Sequence, residues 1–322
     1  MRGQAVLVSG YASLDSFILV DHIRGLGETS SVLAFKGLDR PLPGGCACNI
    51  AMACARLGIG SLLITALGED VEGITYKERL ASAGIDTRFV CLVRGVASPR
   101  TVLVNDQDGG HLTFYYSGAS DHLIEMMKGN LAELEGLDVR YSVITVGDPG
   151  FTRELVVLLH RRRVPILWAF KADMRAYPYH LLQLLLEVAE YLVVNEAEAR
   201  LLCKLFALGD ISALLDFGPK GVVVTKGSRG SEVITDVGRE TIPSVQPCRM
   251  VDPTGAGDGF VAGVLYGLYH GKSLAVSARV GATLASFVLE EWGAQTALPG
   301  LAELKARYCK NFGSWPVEEG DQ

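Results

Sequence analysis

Residues 166–194 read ILWAFKADMRAYPYHLLQLLLEVAEYLVV. Two short runs, ILWA at 166–169 and YLVV at 191–194, bracket a longer apolar segment. Runs that are continuous rather than alternating mark strands buried on both faces. The same kind of run recurs in both directions: GVVVT at 221–225, VITV at 143–146, SLLITA at 61–66 and AVLV at 5–8. Between the runs lie patterns of helical period, such as Ile50, Cys54 and Leu57, and a segment opened by Asp70 and closed by Gly84. The reading is an α/β fold, a parallel sheet with helices on both faces. Segments 15–40 and 97–118 break the rhythm. They read as β-rich, the second as a hairpin turning at Asp106 to Gly110, and form either a lid or an edge hairpin of the main sheet. No repeat or linker divides the chain, so 1–322 is read as one domain, with a frayed tail after Tyr308 ending in EEGDQ.

Composition narrows the function. The 322 residues carry 36 acidic and 30 basic side chains, a formal charge of −6, with no basic run to neutralise a phosphate backbone, so nucleic acid is not the expected partner. Gln183, Glu187 and Glu190 interrupt YHLLQLLLEVAEYLVV, and the four apolar residues near the amino end are too few for a signal-peptide core; neither membrane nor secretion is expected. Seven cysteines, mostly in apolar runs, fit the reduced, buried thiols of a cytoplasmic protein. Cys46, Cys48 and Cys54 lack the second cysteine or histidine pair that would complete a zinc site.

The chemistry is concentrated at 250–271, MVDPTGAGDGFVAGVLYGLYHG, where a Gly-rich turn runs into a helix with Phe260, Val264 and Leu268 on its apolar face. A helix starting there leaves the backbone N–H groups of Gly255, Ala256 and Gly257 for an anion. Asp258 then sits in the first turn, either as a base taking a proton from an attacking hydroxyl or as an ordinary complement to the helix dipole. A second segment, LPGGCACNIAMACARLGIG at 42–60, places Gly44, Gly45 and Asn49 where they either meet vicinal hydroxyls or form a tight turn with a capping Asn. The phosphate motifs GxxxxGK[ST] and GxGxxG are missing, as is the HRD signature of protein kinases.

GGCACNIAMACARLG and DPTGAGDGFVAG, in that order, resemble the two signatures of the PfkB (ribokinase-like) family of sugar and nucleoside kinases, and the likeness extends from about Val8 to about Pro299. The resemblance implies a three-layer ribokinase-like core with a β lid, and transfer of the ATP γ-phosphoryl group to a hydroxyl, usually a hydroxymethyl. It makes Asp258 the base and Gly255, Ala256 and Gly257 the anion hole, and places Asp15, Gly44, Gly45 and Asn49 at the acceptor. Asn195 and Glu198, in an NxxE motif, match residues that organise Mg2+ and phosphates through water; the alternative is a plain helix start. Thr225 and Gly227 match the nucleotide-binding strand end, and Asp252 and Thr254 match positions around a monovalent cation, which leaves room for K+. Lys171 and Arg175 offer positive charge but read more simply as solvated residues. Pro253 and Gly259 depart from the usual Thr and Ala without touching the base, while Cys46 and Cys48 fall in the variable part of the first signature.

The leading expectation is an ATP-dependent carbohydrate kinase. A nucleoside kinase is the nearest alternative, because Tyr115 and Tyr116 could stack on a base and WGAQTALP is similar to the ending of some nucleoside-kinase-like members. A silent sensor has no use for the base, and a dehydrogenase would need a Gly-rich fingerprint where SGYASLD stands. Relatives often dimerise through their lids, which makes a homodimer an option here.

Overall fold

The computed structural model describes residues 5–108 and 110–317; Met1–Gln4 and the EEGDQ end lie outside the described residues. In chain order the strands are β1 (Ala5–Ser9), β2 (Ser13–Val20), β3 (Val32–Lys36), β4 (Leu42–Gly44), β5 (Ser61–Gly68), β6 (Val90–Val93), β7 (Arg100–Asp106), β8 (His111–Tyr116), β9 (Val139–Ile144), β10 (Ile166–Ala169), β11 (Tyr191–Asn195), β12 (Gly221–Thr225), β13 (Ser231–Thr235) and β14 (Gly238–Ile242). The helices are α1 (Cys46–Arg56), α2 (Val71–Ser82), α3 (Leu123–Met126), α4 (Leu131–Glu135), α5 (Pro149–Arg161), α6 (Tyr179–Val188), α7 (Glu196–Leu205), α8 (Ala256–Tyr269), α9 (Leu274–Val288) and α10 (Leu301–Phe312).

The main sheet has the order β14-β13-β12-β11-β10-β9-β1-β5-β6, parallel from β12 to β6 and antiparallel at β13 and β14. Alternation along each strand fills two cores: Val6 and Val8 pack with α1, α8 and α9, while Leu7 packs with α5 and α6. The order of the chain reverses between β1 and β9, and open α/β sheets form their ligand crevice at such a switch.

The second segment pair forms its own five-stranded sheet of β2, β3, β4, β7 and β8, so the edge-hairpin alternative falls. Asp106 closes the β7–β8 turn by accepting the N–H groups of Asp108 and Gly110. Its strands alternate with consequence. Leu19, Thr101, Leu103, Asn105 and Thr113 line a cleft, whereas the opposite parity puts Phe35, Ile18, Val104 and Leu112 in one cross-strand row and Val102 beside Phe114 in the next.

Helix α8 is buried nearly all round. Gly259, Gly263 and Gly267 recur every fourth residue and face α9, where a Cβ at Gly263 would stand 2.6 Å from the Gly281 Cα and one at Gly267 2.4 Å from the Ser277 Oγ. The expected fraying after Tyr308 is corrected: α10 runs to Phe312, and Trp315 packs edge-on against Tyr308 with Val317 buried beyond it. Seven free thiols are present, but Cys248 and Cys309 are exposed, against the expectation of burial.

Candidate active site

The turn before α8 is built for glycine. Gly255 caps the helix in the left-handed region (φ 79°), and a Cβ there would lie 2.1 Å from that of Ala294. The N–H groups of Gly255 and Gly257 have no backbone acceptor among the described residues, as an anion hole requires. Ala256 departs from expectation, since its N–H donates to the Pro253 carbonyl at 3.2 Å and closes the turn. Asp258 follows, buried, with its two oxygens in different states. Oδ2 accepts the Asn49 amide at 2.8 Å, whereas Oδ1 has no hydrogen-bond partner and faces the Lys171 ammonium at 3.5 Å. One oxygen is anchored by an amide and the other meets the ammonium.

Asn49 therefore differs from the sequence reading. One N–H of its amide goes to Asp258 and its carbonyl accepts Gln295 Nε2 at 2.9 Å, so it holds the Asp258 carboxylate while lining the cleft with its second N–H unassigned. Gln295 also donates to the Tyr76 hydroxyl at 2.6 Å, which donates to the Gly44 carbonyl at 2.8 Å. Gly44 is likewise corrected: it does not line the cleft. A Cβ on it would lie 1.9 Å from Asp15 Oδ2, so its role is to make room for that carboxylate. Gly45 does line the cleft, at φ 91°.

Asp15 is buried at the cleft, accepting the Ser13 hydroxyl at 2.6 Å, with Ser13 2.5 Å from the Thr101 hydroxyl. Burial pushes its carboxyl up to about 6, against the opposing bonds from Ser13 and Thr101, and Asp258 and Asp252 add to the rise. A carboxyl raised in the folded state binds its proton more tightly there, so its contribution to stability falls as pH rises from about 4 to about 6. The loss is on the order of 2–3 kcal/mol above that window. Asp15→Asn should accordingly melt higher than wild type at pH 7.5 and equal to it near pH 4, while raising the KM for the acceptor. Thermal melts at the two pH values, paired with acceptor titrations, check this.

On the donor side a capping box joins Asn195 and Glu198: Asn195 N–H donates to Glu198 Oε2 at 2.7 Å and Glu198 N–H to Asn195 Oδ1 at 2.9 Å. The plain helix-start role is thus present; Asn195 also lines both cavities and Glu198 the cleft that holds Asp15. Burial raises the Glu198 carboxyl, with Lys171 pulling the other way. Thr225 and Gly227 line a slot of about 640 Å³ with Val245, Met250, Phe260 and Leu289. Asp252 is fully buried, accepting the N–H groups of Thr254 at 3.0 Å and Gly293 at 2.9 Å, which ties the catalytic turn to the loop carrying Gln295.

The residues fit ATP and Mg2+. Free amides and Asp258 Oδ1 meet where the slot joins an acceptor cleft of about 1060 Å³, and Glu198 supplies the hard oxygen that Mg2+ prefers. For K+ the fit is a buried Asp252 carboxylate with no ion pair among the described residues.

Sequence reasoning set Lys171 aside as solvated, yet it lines both cavities; its position just past a buried strand was the available signal. Arg175 does stay outside them and pairs loosely with Asp173. Gln295 and Trp292 lie in WGAQTALP, which was noted for its likeness to nucleoside-kinase-like members and not for either side chain. Tyr115 stacks on Tyr11, with centroids 5.3 Å apart, at the cleft, but Tyr116 is exposed on the outer side and cannot meet a base. Cys46 lines the cleft and Cys48 is buried beneath it; burial pushes both thiols up, so neither is a ready thiolate. No helix among the described residues is long and apolar enough to cross a membrane.

Residues 40–301 match the pfkB family carbohydrate kinase model. The nucleoside kinase of Methanothermobacter thermautotrophicus is 30% identical over 314 residues, 97% of each chain. Bacillus subtilis ribokinase is 29% identical over 302 residues, 93% of this chain and 98% of that one. Among solved structures, the Burkholderia thailandensis nucleoside kinase in complex with inosine superposes with a TM-score of 0.86 at 25% identity, covering 98% of this chain and all of the other.

Proposed function

Because the chain belongs to the pfkB family of carbohydrate kinases, and so to the phosphotransferases with an alcohol acceptor, we propose that it phosphorylates the ribose hydroxymethyl of a nucleoside. The observation that carries this is the cleft beyond Asp15. It continues between Leu19, Leu103 and Trp292, with Asn105 and Thr113 among them. A free sugar would fill the part near Asp15 and leave those apolar walls in water; a base attached to the sugar covers them. Two relatives named as nucleoside kinases support the same reading. The carbohydrate kinase expected first is the rival to this reading, and the ribokinase among the relatives keeps it open to the same assay.

In this reading ATP supplies the phosphoryl group, and Asn195 and Glu198 would hold Mg2+, which would offset the charge of the phosphates. Asp15 holds the ribose hydroxyls. The hydroxymethyl gives its proton to Asp258 Oδ1 as its oxygen bonds the γ-phosphorus, while the bond to the bridging oxygen breaks and its electron pair leaves on ADP. The amides of Gly255 and Gly257 receive the charge on the phosphoryl oxygens, and the second sheet excludes water as a lid. The Asp252 and Thr254 loop is where a monovalent cation would act. ADP release measured across nucleosides, pentoses and hexoses, with and without potassium, tests the reading. Turnover with free sugars and none with nucleosides would return it to a sugar kinase.

The outer face of the second sheet is the surface for a second copy of this chain. Phe35, Phe114 and Leu112 are exposed there in register with Ile18, Val102 and Val104, with Tyr116 exposed opposite Arg100, and an apolar sheet face of this kind is self-complementary about a two-fold axis. The Phe35→Asp, Phe114→Asp double variant should elute as a monomer, and wild type as a dimer, by light scattering after gel filtration.

A further inference from the structure

We propose that the Lys171 ammonium rests on the base in the empty enzyme and passes to the γ-phosphoryl oxygens when ATP binds, freeing Asp258 Oδ1 for the acceptor's proton. This deepens the kinase reading and rests on it.

Four observations carry the inference. Among the described residues, Lys171 is the only Lys, Arg or His lining either cavity, and it lines both. It follows β10 at the carboxyl edge of the sheet, where open α/β folds place ligand contacts. A Cβ on Gly257 would lie 3.5 Å from its Nζ, so the ammonium stands over the turn whose amides are free. Its contact with Asp258 Oδ1, at 3.5 Å, leaves that buried oxygen without a hydrogen bond.

The pairing is therefore loose on both sides, as a transferable contact should be. A cation fixed on the base would oppose proton transfer, because it favours the ionised carboxylate. The arriving phosphoryl group, with its greater negative charge, offers the ammonium better partners at the moment the base is needed. The groups facing Nζ are Cys46 from α1, Glu198 from α7 and Asp258 from α8. Burial alone would disfavour the ammonium, but the carboxylates of Asp258 and Glu198 outweigh it and hold Lys171 charged.

The test compares Mg-ADP with the β,γ-methylene analogue of Mg-ATP by calorimetry on wild type, Lys171→Met and Lys171→Arg, alongside kinase rates and melting temperatures. Lys171→Met should lose about 10- to 100-fold in affinity for the analogue, the value of one charge-assisted hydrogen bond, with ADP affinity nearly unchanged. Its kcat should fall about 10²- to 10³-fold with the acceptor KM close to wild type. Lys171→Arg should keep part of the preference for the analogue. Unchanged affinity for both nucleotides, with only the melting temperature altered, would make Lys171 a counter-ion of Asp258 and overturn the proposal, as would equal losses for both nucleotides. If wild type phosphorylates no acceptor, the kinase reading fails by itself, while the contrast between the two nucleotides still decides what Lys171 holds.

Discussion

Asp258→Asn should reduce kcat by about 10²- to 10⁴-fold, the usual value of a positioned general base, with the fold and both substrate affinities nearly intact. The size follows from the unequal oxygens. The Asn49 amide donates to Oδ2, so an asparagine at 258 settles with its carbonyl there and its NH2 where Oδ1 was. That puts a donor in the place of the proton acceptor without changing shape or volume. The acceptor hydroxyl then meets a group that cannot take its proton. Steady-state rates with the acceptor chosen by the panel assay, and circular dichroism of the variant, measure this; a variant retaining a tenth of the activity would remove Asp258 from the base role.

The largest stability effect is expected far from any polar group, at Gly263→Val. A Cβ at this position meets Gly281 Cα at 2.6 Å, Gly281 N at 2.7 Å and Val280 C at 2.8 Å, all backbone, so no flexible side chain can yield. The two helices must separate along their whole buried contact, and overpacking of this kind costs about 3 kcal/mol or more. Gly60→Ala provides the contrast, because a Cβ there meets nothing within 4 Å and its φ is ordinary. Urea denaturation of the two variants should show a large fall in midpoint for the first and almost none for the second. Because α8 carries Asp258 in its first turn, the residual folded fraction of Gly263→Val should also work more slowly.

The parallel core was legible because its strands are buried on both faces, and such strands announce themselves as uninterrupted apolar runs: ILWA and GVVVT coincide with β10 and β12. The turn at Gly255 was legible because close packing against Ala294 leaves only one residue type possible. What stayed hidden depends on contacts between residues distant in sequence. Asn49 and Gln295 are 246 positions apart, and nothing local shows that one amide will hold the other. Lys171 read as solvated because its neighbours Asp258 and Glu198 come from other elements. The two tyrosines at 115 and 116 show the same limit from the opposite side: alternation guarantees that only one of them faces the cleft, but the sequence does not say which.

That alternation in the second sheet reaches beyond geometry. Odd positions of β7 and β8 line the cleft and even positions form the outer face, so under the proposed function one set would meet the acceptor and the other a second copy of the chain. On that reading, changes at Leu103, Asn105 or Thr113 would alter the acceptor and leave the outer face untouched, and changes at Val102, Val104 or Phe114 would do the reverse. A single inserted residue in either strand would scramble both at once. These strands should accept substitutions freely and tolerate no change in length.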